Sequence, residues 1–295
     1  MILVTGATGF VGRHLVRRLN DRPARAMIRE GSSPRFARTV EVVEADLTRP
    51  ESLAPALTGV RTVIHAAAIT GNVKEPYRGA YDAINREGTE NLMAAAQRAG
   101  VERLVVLSGL GTKPAPEGSY MATRHGMEEA VRRSGIPYVI LQPSVLFGDG
   151  APFIERLADL ARVSPLVPVL GGGDLTFQPL WIEDLVRCLI LATRNHDLDN
   201  RTLALGGAEH VTLREIQQAI SRTLGKRRLL VPLPLPLARL QAGLMTALLP
   251  RPPLTPAVLD LFSFENATAL DSVEKAFGFR PRGFREHLAA HGLEG

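Results

Sequence analysis

The chain has 295 residues, a formal net charge of +5, and 45% hydrophobic residues. This length is enough for about two domains, and the composition excludes an intrinsically disordered or fibrous chain. The positive charge is mostly arginine interleaved with acidic residues, and only 5% of the residues are aromatic. A basic surface that stacks nucleic-acid bases is therefore not expected, and we predict no nucleic-acid partner.

No targeting or membrane-spanning segment is predicted. Met1 leads directly into an apolar strand pattern, so no signal or transit peptide is expected before the fold. The single cysteine, Cys188, lies in an apolar run and has no sequence neighbours that could complete a metal site or a disulfide. We expect a soluble cytoplasmic protein without a metal site, and peripheral attraction to an anionic membrane surface stays open.

The first half of the chain alternates short β-branched runs with helical patterns, which is typical of βαβ units around a parallel sheet. Thr48 and Glu51 have the spacing of a capping box ahead of a helix. Strands are predicted over 2–5, 24–28, 40–44, 62–65, 104–108 and 138–142. The main helices are predicted over 10–20, 82–98 and 120–133, the last two ending at Gly100 and Gly135.

After Gly148 this rhythm gives way to Gly- and Pro-rich loops and leucine-rich stretches. The predicted fold class is α/β, a doubly wound parallel Rossmann sheet with a smaller C-terminal substrate lobe. The Rossmann domain is predicted to be discontinuous, with residues 1–147 and 175–206. The substrate-facing lobe takes residues 148–174 and 207–295.

The most apolar segment of the chain is residues 229–249. Its prolines at 232, 234 and 236 interrupt a helix, and the helical run from about Leu237 is too short to cross the hydrocarbon core of about 30 Å. We interpret the segment as a core helix of the lobe or a wall of an apolar pocket. A helix that binds a membrane surface or a protein partner is the alternative.

A glycine-rich turn joins the first predicted strand to the first predicted helix. Residues 5–12 read TGATGFVG, a G-x-x-G-x-x-G spacing. In this motif the three glycines allow a tight turn, a close approach of main-chain N–H groups to a pyrophosphate, and close helix–strand contact. The helix amino terminus adds oriented donors and a positive dipole end. The pattern predicts a dinucleotide site at Gly6, Thr8, Gly9, Phe10, Val11 and Gly12.

The end of the second strand indicates which dinucleotide is bound. NAD-binding proteins commonly place an acidic residue there to hold the ribose hydroxyls, whereas this chain has Arg29. A guanidinium suits a 2′-phosphate through its charge and its fork of donors, with Arg13, Arg35 and Arg38 able to assist. The alternative is that Glu30 takes the acidic role after a shift of one residue. We predict NADP(H) in preference to NAD(H).

Further cofactor contacts are predicted at the carboxyl ends of later strands. An aspartate after the third strand can reach the adenine amino group or help open the next helix beside Thr48. Two small residues after the fourth strand let the ribose approach, and the main chain after the sixth strand is placed to pass the nicotinamide amide. These predicted contacts are Asp46 and Leu47, Ala66 and Ala67, and Pro143 and Val145.

The chain resembles the extended and atypical short-chain dehydrogenase/reductase superfamily. It is most similar to the branch that holds the nucleotide-binding accessory subunit of respiratory complex I, together with NAD-dependent epimerase/dehydratase-like and NmrA-like proteins. The resemblance implies a Rossmann sheet with a C-terminal substrate lobe and, in active members, a Tyr-x-x-x-Lys pair with an upstream Ser or Thr. The segments that carry it are 5–12, 45–47, 63–67, 85–92, 138–148 and 181–185.

The resemblance implies catalytic roles for Tyr120, Arg124 and Ser108. Tyr120 fits the tyrosine position at the start of a helix, and a cation one turn later favours the phenolate and holds the ribose. That cation is Arg124, whose rigid fork is broader than an ammonium group. Ser108 ends the fifth strand, but the family's hydroxyl lies about two residues further on, at Leu110, and Thr112 is a possible substitute.

Three functions compete. The first is an NADP-dependent oxidoreductase or epimerase acting on an apolar carbonyl or quinone-like substrate, because Tyr120 accompanies a leucine- and proline-rich lobe. The second is a non-catalytic NADPH-binding accessory or assembly protein of a membrane redox complex, in which Arg124 and Leu110 would be tolerated. The third, and the least favoured, is an NmrA-type sensor of the NADPH/NADP ratio.

Overall fold

The computed structural model describes residues 1–19, 21–32, 34, 36–249, 255–260, 262 and 264–293. Arg35, one of the arginines predicted to assist at the cofactor, and position 20, the predicted end of the first helix, lie outside these residues. Contacts divide the chain into two units. Unit 1 holds 1–69, 75–142 and 186–203, and unit 2 holds 70–74, 143–185 and 204–295. The sequence-based boundaries differ, because the contacts put all of 143–185 in unit 2.

The secondary structure follows the βαβ rhythm up to the sixth strand. The strands are β1 (Ile2–Thr5), β2 (Ala24–Ile28), β3 (Val40–Glu44), β4 (Thr62–His65), β5 (Arg103–Leu107), β6 (Tyr138–Pro143), β7 (Leu146–Phe147), β8 (Leu166–Leu170), β9 (Thr176–Phe177), β10 (Leu180–Trp181), β11 (Arg201–Leu205), β12 (Val211–Thr212) and β13 (Leu229–Leu233). The α-helices are α1 (Phe10–Arg18), α2 (Leu53–Leu57), α3 (Gly88–Arg98), α4 (Tyr120–Arg133), α5 (Pro152–Val163), α6 (Ile182–Ala192), α7 (Leu213–Thr223), α8 (Leu235–Leu248), α9 (Pro256–Asp260), α10 (Ser272–Phe277) and α11 (Phe284–His291).

Unit 1 is built on a seven-stranded sheet in the order β11-β6-β5-β4-β1-β2-β3. Strands β1 to β6 pair in parallel. Strands β2 and β3 lie on one side of β1, and β4, β5 and β6 lie on its other side, so the order of strand addition reverses between β1 and β4. This is the doubly wound order in which a ligand binds at the carboxyl ends of the strands near the reversal. The predicted fold is confirmed, because runs of apolar residues buried on both faces specify parallel strands.

The helices of unit 1 start near the predicted positions, with one correction. A π-helical turn over Asp82–Glu87 leads into α3, and Ser119 caps α4 by accepting the Ala122 N–H at 3.1 Å. The capping box predicted at Thr48 and Glu51 is wrong. Thr48 instead donates its N–H and its hydroxyl to the Asp46 carboxylate, which turns the chain before α2 begins.

Unit 2 contains short strand pairs and most of the later helices. Strands β7 and β10 and strands β8 and β13 pair in parallel, whereas β9 and β12 are antiparallel. Helix α7 has a complete capping box between Thr212 and Glu215 that the sequence analysis missed. Among the described residues, none of the helices is both long and apolar enough to cross a membrane.

Helix α8 differs from the core helix predicted for this segment. Its buried residues are two small ones, Ala238 and Ala242, which pack with Leu259, Leu170 and Leu233. Leu235 at the start of the helix is half-buried, whereas the four later leucines, at 237, 240, 244 and 248, are exposed. The large number of apolar residues in segment 229–249 predicted that its leucines are buried. The positions of large and small residues around the helix decide instead which side packs inward.

Candidate functional site

The turn between β1 and α1 lacks room for side chains. Gly6 has φ +68°, and a Cβ there would lie 2.6 Å from the Ala66 carbonyl oxygen. A Cβ on Gly12 would overlap the Gly6 carbonyl, because α1 packs directly on the turn. Gly9 donates to the Gly6 carbonyl at 2.9 Å and is the N-cap of α1.

The amino terminus of α1 is suited to an anion. Gly9 has no side chain to cap the helix, and the first turn contains no acidic residue. The first N–H groups of a helix have no partner within the helix, and its dipole favours negative charge there. The tight turn and the uncapped helix therefore fit a pyrophosphate.

Charged residues cluster after β2 and β3. Burial alone raises the pKa of Asp46, but hydrogen bonds from Thr48 and the charges of Arg49 and Arg29 outweigh it, so the pKa lies below its ordinary value. Arg29 is exposed directly after β2 and lies close enough to act on this carboxylate. Glu30 forms an ion pair with Arg49 at 3.3 Å, so its carboxylate already has a cationic partner.

The other predicted cofactor residues have mixed surroundings. Leu47 is buried against Gly88, and its carbonyl accepts the Asn91 amide at 2.9 Å. Ala66 and Ala67 lie half-buried beside the Gly6 turn. A ligand bound at the carboxyl end of β4 would therefore contact main chain and small side chains.

Pro143 and Val145 belong to unit 2. Pro143 is the last residue of β6 and has no N–H. The N–H of Val145 donates to the Asn266 side-chain oxygen at 2.9 Å, and its carbonyl accepts the Leu180 N–H at 2.9 Å. The N–H of Val145 is thus already used within unit 2.

A buried chain of hydrogen bonds runs behind the glycine turn. His65 Nδ1 lies 2.7 Å from the Thr5 hydroxyl, and its Nε2 lies 2.9 Å from the Thr89 hydroxyl. Thr89 donates its proton to the Asn85 carbonyl, so its oxygen must accept the proton on Nε2. Thr5 accepts the Ala67 N–H and donates to Nδ1. The network is complete only with a neutral His65.

Burial agrees with this protonation state, because it lowers the pKa of His65 to about 4. Asn85 and Thr89, which the sequence left open as cofactor-facing or surface residues, are both buried. The Asn85 side chain bonds both main-chain groups of Ile69 and reaches the Thr123 hydroxyl of α4 at 3.4 Å. The network therefore links the glycine turn and the loop after β4 to the helix that carries Tyr120.

One face of α4 carries the predicted catalytic groups. Tyr120, Arg124 and Glu128 follow at intervals of four residues, so their side chains lie along one stripe. The guanidinium carbon of Arg124 is 5.6 Å from the centre of the Tyr120 ring, and the Tyr81 ring meets Tyr120 edge-on at 5.3 Å. Burial, with the charge of Glu75 and contact with Tyr120, raises the pKa of Tyr81 to about 12.

Tyr120 and Arg124 are only 8% and 7% exposed. Neither the phenol nor the guanidinium has a hydrogen bond or ion pair with any other residue that the structure describes. None of their polar atoms is among the fully buried side-chain atoms that lack a partner, so the phenol oxygen and the guanidinium are open to solvent. Two adjacent donors that are accessible and unpaired can both bind a ligand.

Ser108 has a different environment. Its hydroxyl donates to Glu128 at 2.5 Å, and the Gln142 amide donates to the same carboxylate oxygen at 2.7 Å. Thr112, the possible substitute, donates to the Gly109 carbonyl at 2.7 Å. Leu110 is buried and offers no hydroxyl. The hydroxyl protons near the end of β5 are thus committed within the protein.

Gly109 makes room for the arginine. A Cβ at this position would overlap the Arg124 guanidinium, which lies directly against the main chain just past β5. Gly109 and Glu128 are not among the residues predicted from the sequence to form the site. The spacing of Glu128 from Arg124 was a readable signal, whereas the contact of Gly109 depends on packing that no local pattern reveals.

Comparison with known proteins supports an NAD(P)H-binding fold. Residues 6–158 match the family described as NAD(P)H-binding. A ceramide reductase of Caulobacter vibrioides is 31% identical over 252 residues, 84% of this chain and 76% of that protein. The mitochondrial NADH dehydrogenase (ubiquinone) 1 alpha subcomplex subunit 9 of Arabidopsis thaliana is 23% identical over 278 residues, 90% of this chain and 68% of that protein.

Among solved structures, MoeE5 in complex with UDP-glucose and NAD superposes with a TM-score of 0.75 and 25% identity. The match covers 98% of this chain and 96% of that one. The glycine turn, the sheet order and these matches agree with the predicted resemblance. The chain belongs to the NAD(P)H-binding, epimerase/dehydratase-like group of the extended short-chain dehydrogenase/reductase superfamily, whose relatives include reductases and a complex I subunit.

Proposed function

We propose that this protein is an NADPH-dependent reductase of a carbonyl group on an apolar, lipid- or quinone-like substrate. The observation that carries the proposal is the buried pair Tyr120 and Arg124, neither of which has a hydrogen-bonding partner among the described residues. The glycine turn between β1 and α1, which lacks room for side chains at its glycines, supports binding of a dinucleotide through its pyrophosphate. The relative that is named a ceramide reductase supports an apolar substrate.

Each residue has a separate task in this proposal. The glycine turn between β1 and α1 would hold NADPH, which would supply the hydride for the carbonyl carbon. Tyr120 gives its hydroxyl proton to the carbonyl oxygen, and water returns a proton to the phenolate. The positive charge of Arg124 favours that phenolate and the negative charge developing on the oxygen. Ser108 takes no part, because its proton is held by Glu128.

The preference for NADPH rests on Arg29. We expect Arg29→Glu to weaken NADPH binding about 30- to 100-fold and NADH binding less than threefold, because only NADPH carries the 2′-phosphate that an arginine can pair with. Fluorescence titration with both reduced cofactors measures this. Arg98→Glu, a charge reversal at an exposed site in α3, is the matched control. Equal losses for the two cofactors would remove Arg29 from the proposal.

The position of Arg124 can be tested through Gly109. Gly109→Ala should displace the guanidinium and lower kcat/KM about tenfold or more, because the added methyl group needs the space that the fork occupies. Gly243→Ala adds the same methyl group where nothing lies within 4 Å and should leave activity unchanged. If Gly109→Ala were as active as the parent protein, Arg124 would not act from this position.

A second candidate function is a non-catalytic NADPH-binding accessory protein. It is favoured by the missing hydroxyl donor, since Ser108 is bonded to Glu128 and Leu110 is apolar. The similarity to a complex I subunit supports the same candidate. NADPH binding without turnover of any apolar carbonyl, together with co-purification with a membrane redox complex, would decide for it.

A further inference from the structure

Helix α8 shows its large apolar side chains to solvent. Leu237, Leu240, Leu244 and Leu248 are 53–79% exposed and recur at intervals of three and four residues, so they form one stripe along the helix. We call these four residues the leucine face. On the opposite side of α8 only the small residues Ala238 and Ala242 are fully buried, beside half-buried Leu235 and Met245. This is the reverse of a helix that uses its large apolar side chains for the core.

The sequence segment that holds the leucine face contains no acidic residue. Between Glu215 and Asp260 the sequence has no acidic residue but six basic ones, at 222, 226, 227, 228, 239 and 251. The whole chain has 30 acidic residues in 295, so a stretch of this length would ordinarily hold about four or five at that density. No acidic residue within this stretch of the sequence therefore offsets the six basic residues.

The basic residues next to β13 are not neutralised by neighbouring carboxylates. Lys226 donates to the Arg162 carbonyl at 2.7 Å, and Arg228 donates to the Ala161 carbonyl at 2.6 Å. Both bonds are to main chain, at the carboxyl end of α5, and Arg227 beside them is exposed. In the part of the chain that the structure describes, none of these three residues forms an ion pair. Their positive charge remains to attract an anion.

We propose that the leucine face docks on an anionic phospholipid surface, with the leucines in the acyl boundary and the basic residues among the headgroups. A helix that lies in a membrane interface combines an apolar face with flanking Lys and Arg, and anionic lipids attract each basic residue. Segment 216–259 contains no aromatic residue. The hot spots of protein interfaces are enriched in Trp, Tyr and Arg and poor in Leu, and the four residues of the leucine face are all leucines, so a lipid surface fits this face better than a protein partner.

The test is co-sedimentation of the full chain with vesicles. We expect it to bind phosphatidylcholine vesicles that contain about a third phosphatidylglycerol, to bind pure phosphatidylcholine at least tenfold more weakly, and to be released by salt. The double variant Leu240→Gln with Leu244→Gln should weaken binding at least tenfold. Leu270→Gln, at an equally exposed leucine outside the face, should not. Unchanged unfolding temperatures would show that both variants fold.

Three results would overturn the proposal. One is a parent protein that stays in the supernatant with anionic vesicles at low salt. Another is sedimentation that the double variant does not reduce. The third is a dimer in solution that the double variant dissociates, because the face would then be covered by a second copy. None of these results depends on reductase activity, so the proposed function is tested separately.

Discussion

Tyr120→Phe should lower NADPH-dependent reduction about a thousandfold while NADPH affinity stays within about threefold of the parent protein. A positioned general acid raises the reaction rate about 10²- to 10⁴-fold. Removal of the Tyr120 hydroxyl takes away the group that protonates the substrate oxygen. The phenol makes no hydrogen bond to another described residue, so its loss leaves no buried partner unsatisfied. Stability should therefore change little.

The measurement is NADPH oxidation with methyl nonyl ketone and decyl ubiquinone, beside NADPH binding by fluorescence. Tyr77→Phe is the matched control, because Tyr77 is 53% exposed and lies outside the α4 stripe. Full activity in Tyr120→Phe would contradict the assignment of the proton donor. A parent protein that binds NADPH but reduces neither compound would favour the accessory role instead. UDP-glucose belongs beside the two apolar probes, because MoeE5 is known in complex with UDP-glucose and NAD.

The cofactor turn was predictable because its requirements are local. Main-chain approach and helix–strand contact demand glycine at fixed spacing, and the structure shows what each Cβ would strike. Strands β1 to β4 begin and end at the predicted residues, and β5 and β6 differ by one residue at their ends. Apolar runs buried on both faces leave little freedom in where a parallel strand begins and ends.

The catalytic region was less predictable because its contacts cross the fold. Ser108 and Glu128 are 20 residues apart and meet only when β5 and α4 pack. Gly109 became significant only once the guanidinium of Arg124 lay over it. The prediction that α8 is a core helix was wrong for another reason. It rested on the number of leucines in the segment, whereas the positions of Ala238 and Ala242 decide which side of the helix packs against its neighbours.

His65 should make the fold acid-sensitive over a defined range. Burial lowers its pKa from 6.5 to about 4, so the unfolded chain takes up a proton between these values while the folded chain does not. The unfolded state then binds more protons, and the free energy of unfolding falls as pH falls through this window. The full difference corresponds to roughly 3 kcal/mol, at most about 1.4 kcal/mol per pH unit. Above pH 6.5 the contribution is constant.

His65→Gln removes the titration and separates this effect from that of the carboxylates. The variant should be less stable near neutrality, because the bonds to Thr5 and Thr89 are disturbed. Its free energy of unfolding should nevertheless fall less steeply than that of the parent between pH 6.5 and about 4. Urea unfolding at several pH values within this range measures both curves, and carboxylate titration cancels in their difference. Parallel curves would mean that His65 takes up its proton at the same pH in the folded and the unfolded chain, and the hydrogen-bond directions from Thr5 to Thr89 would have to be reassigned.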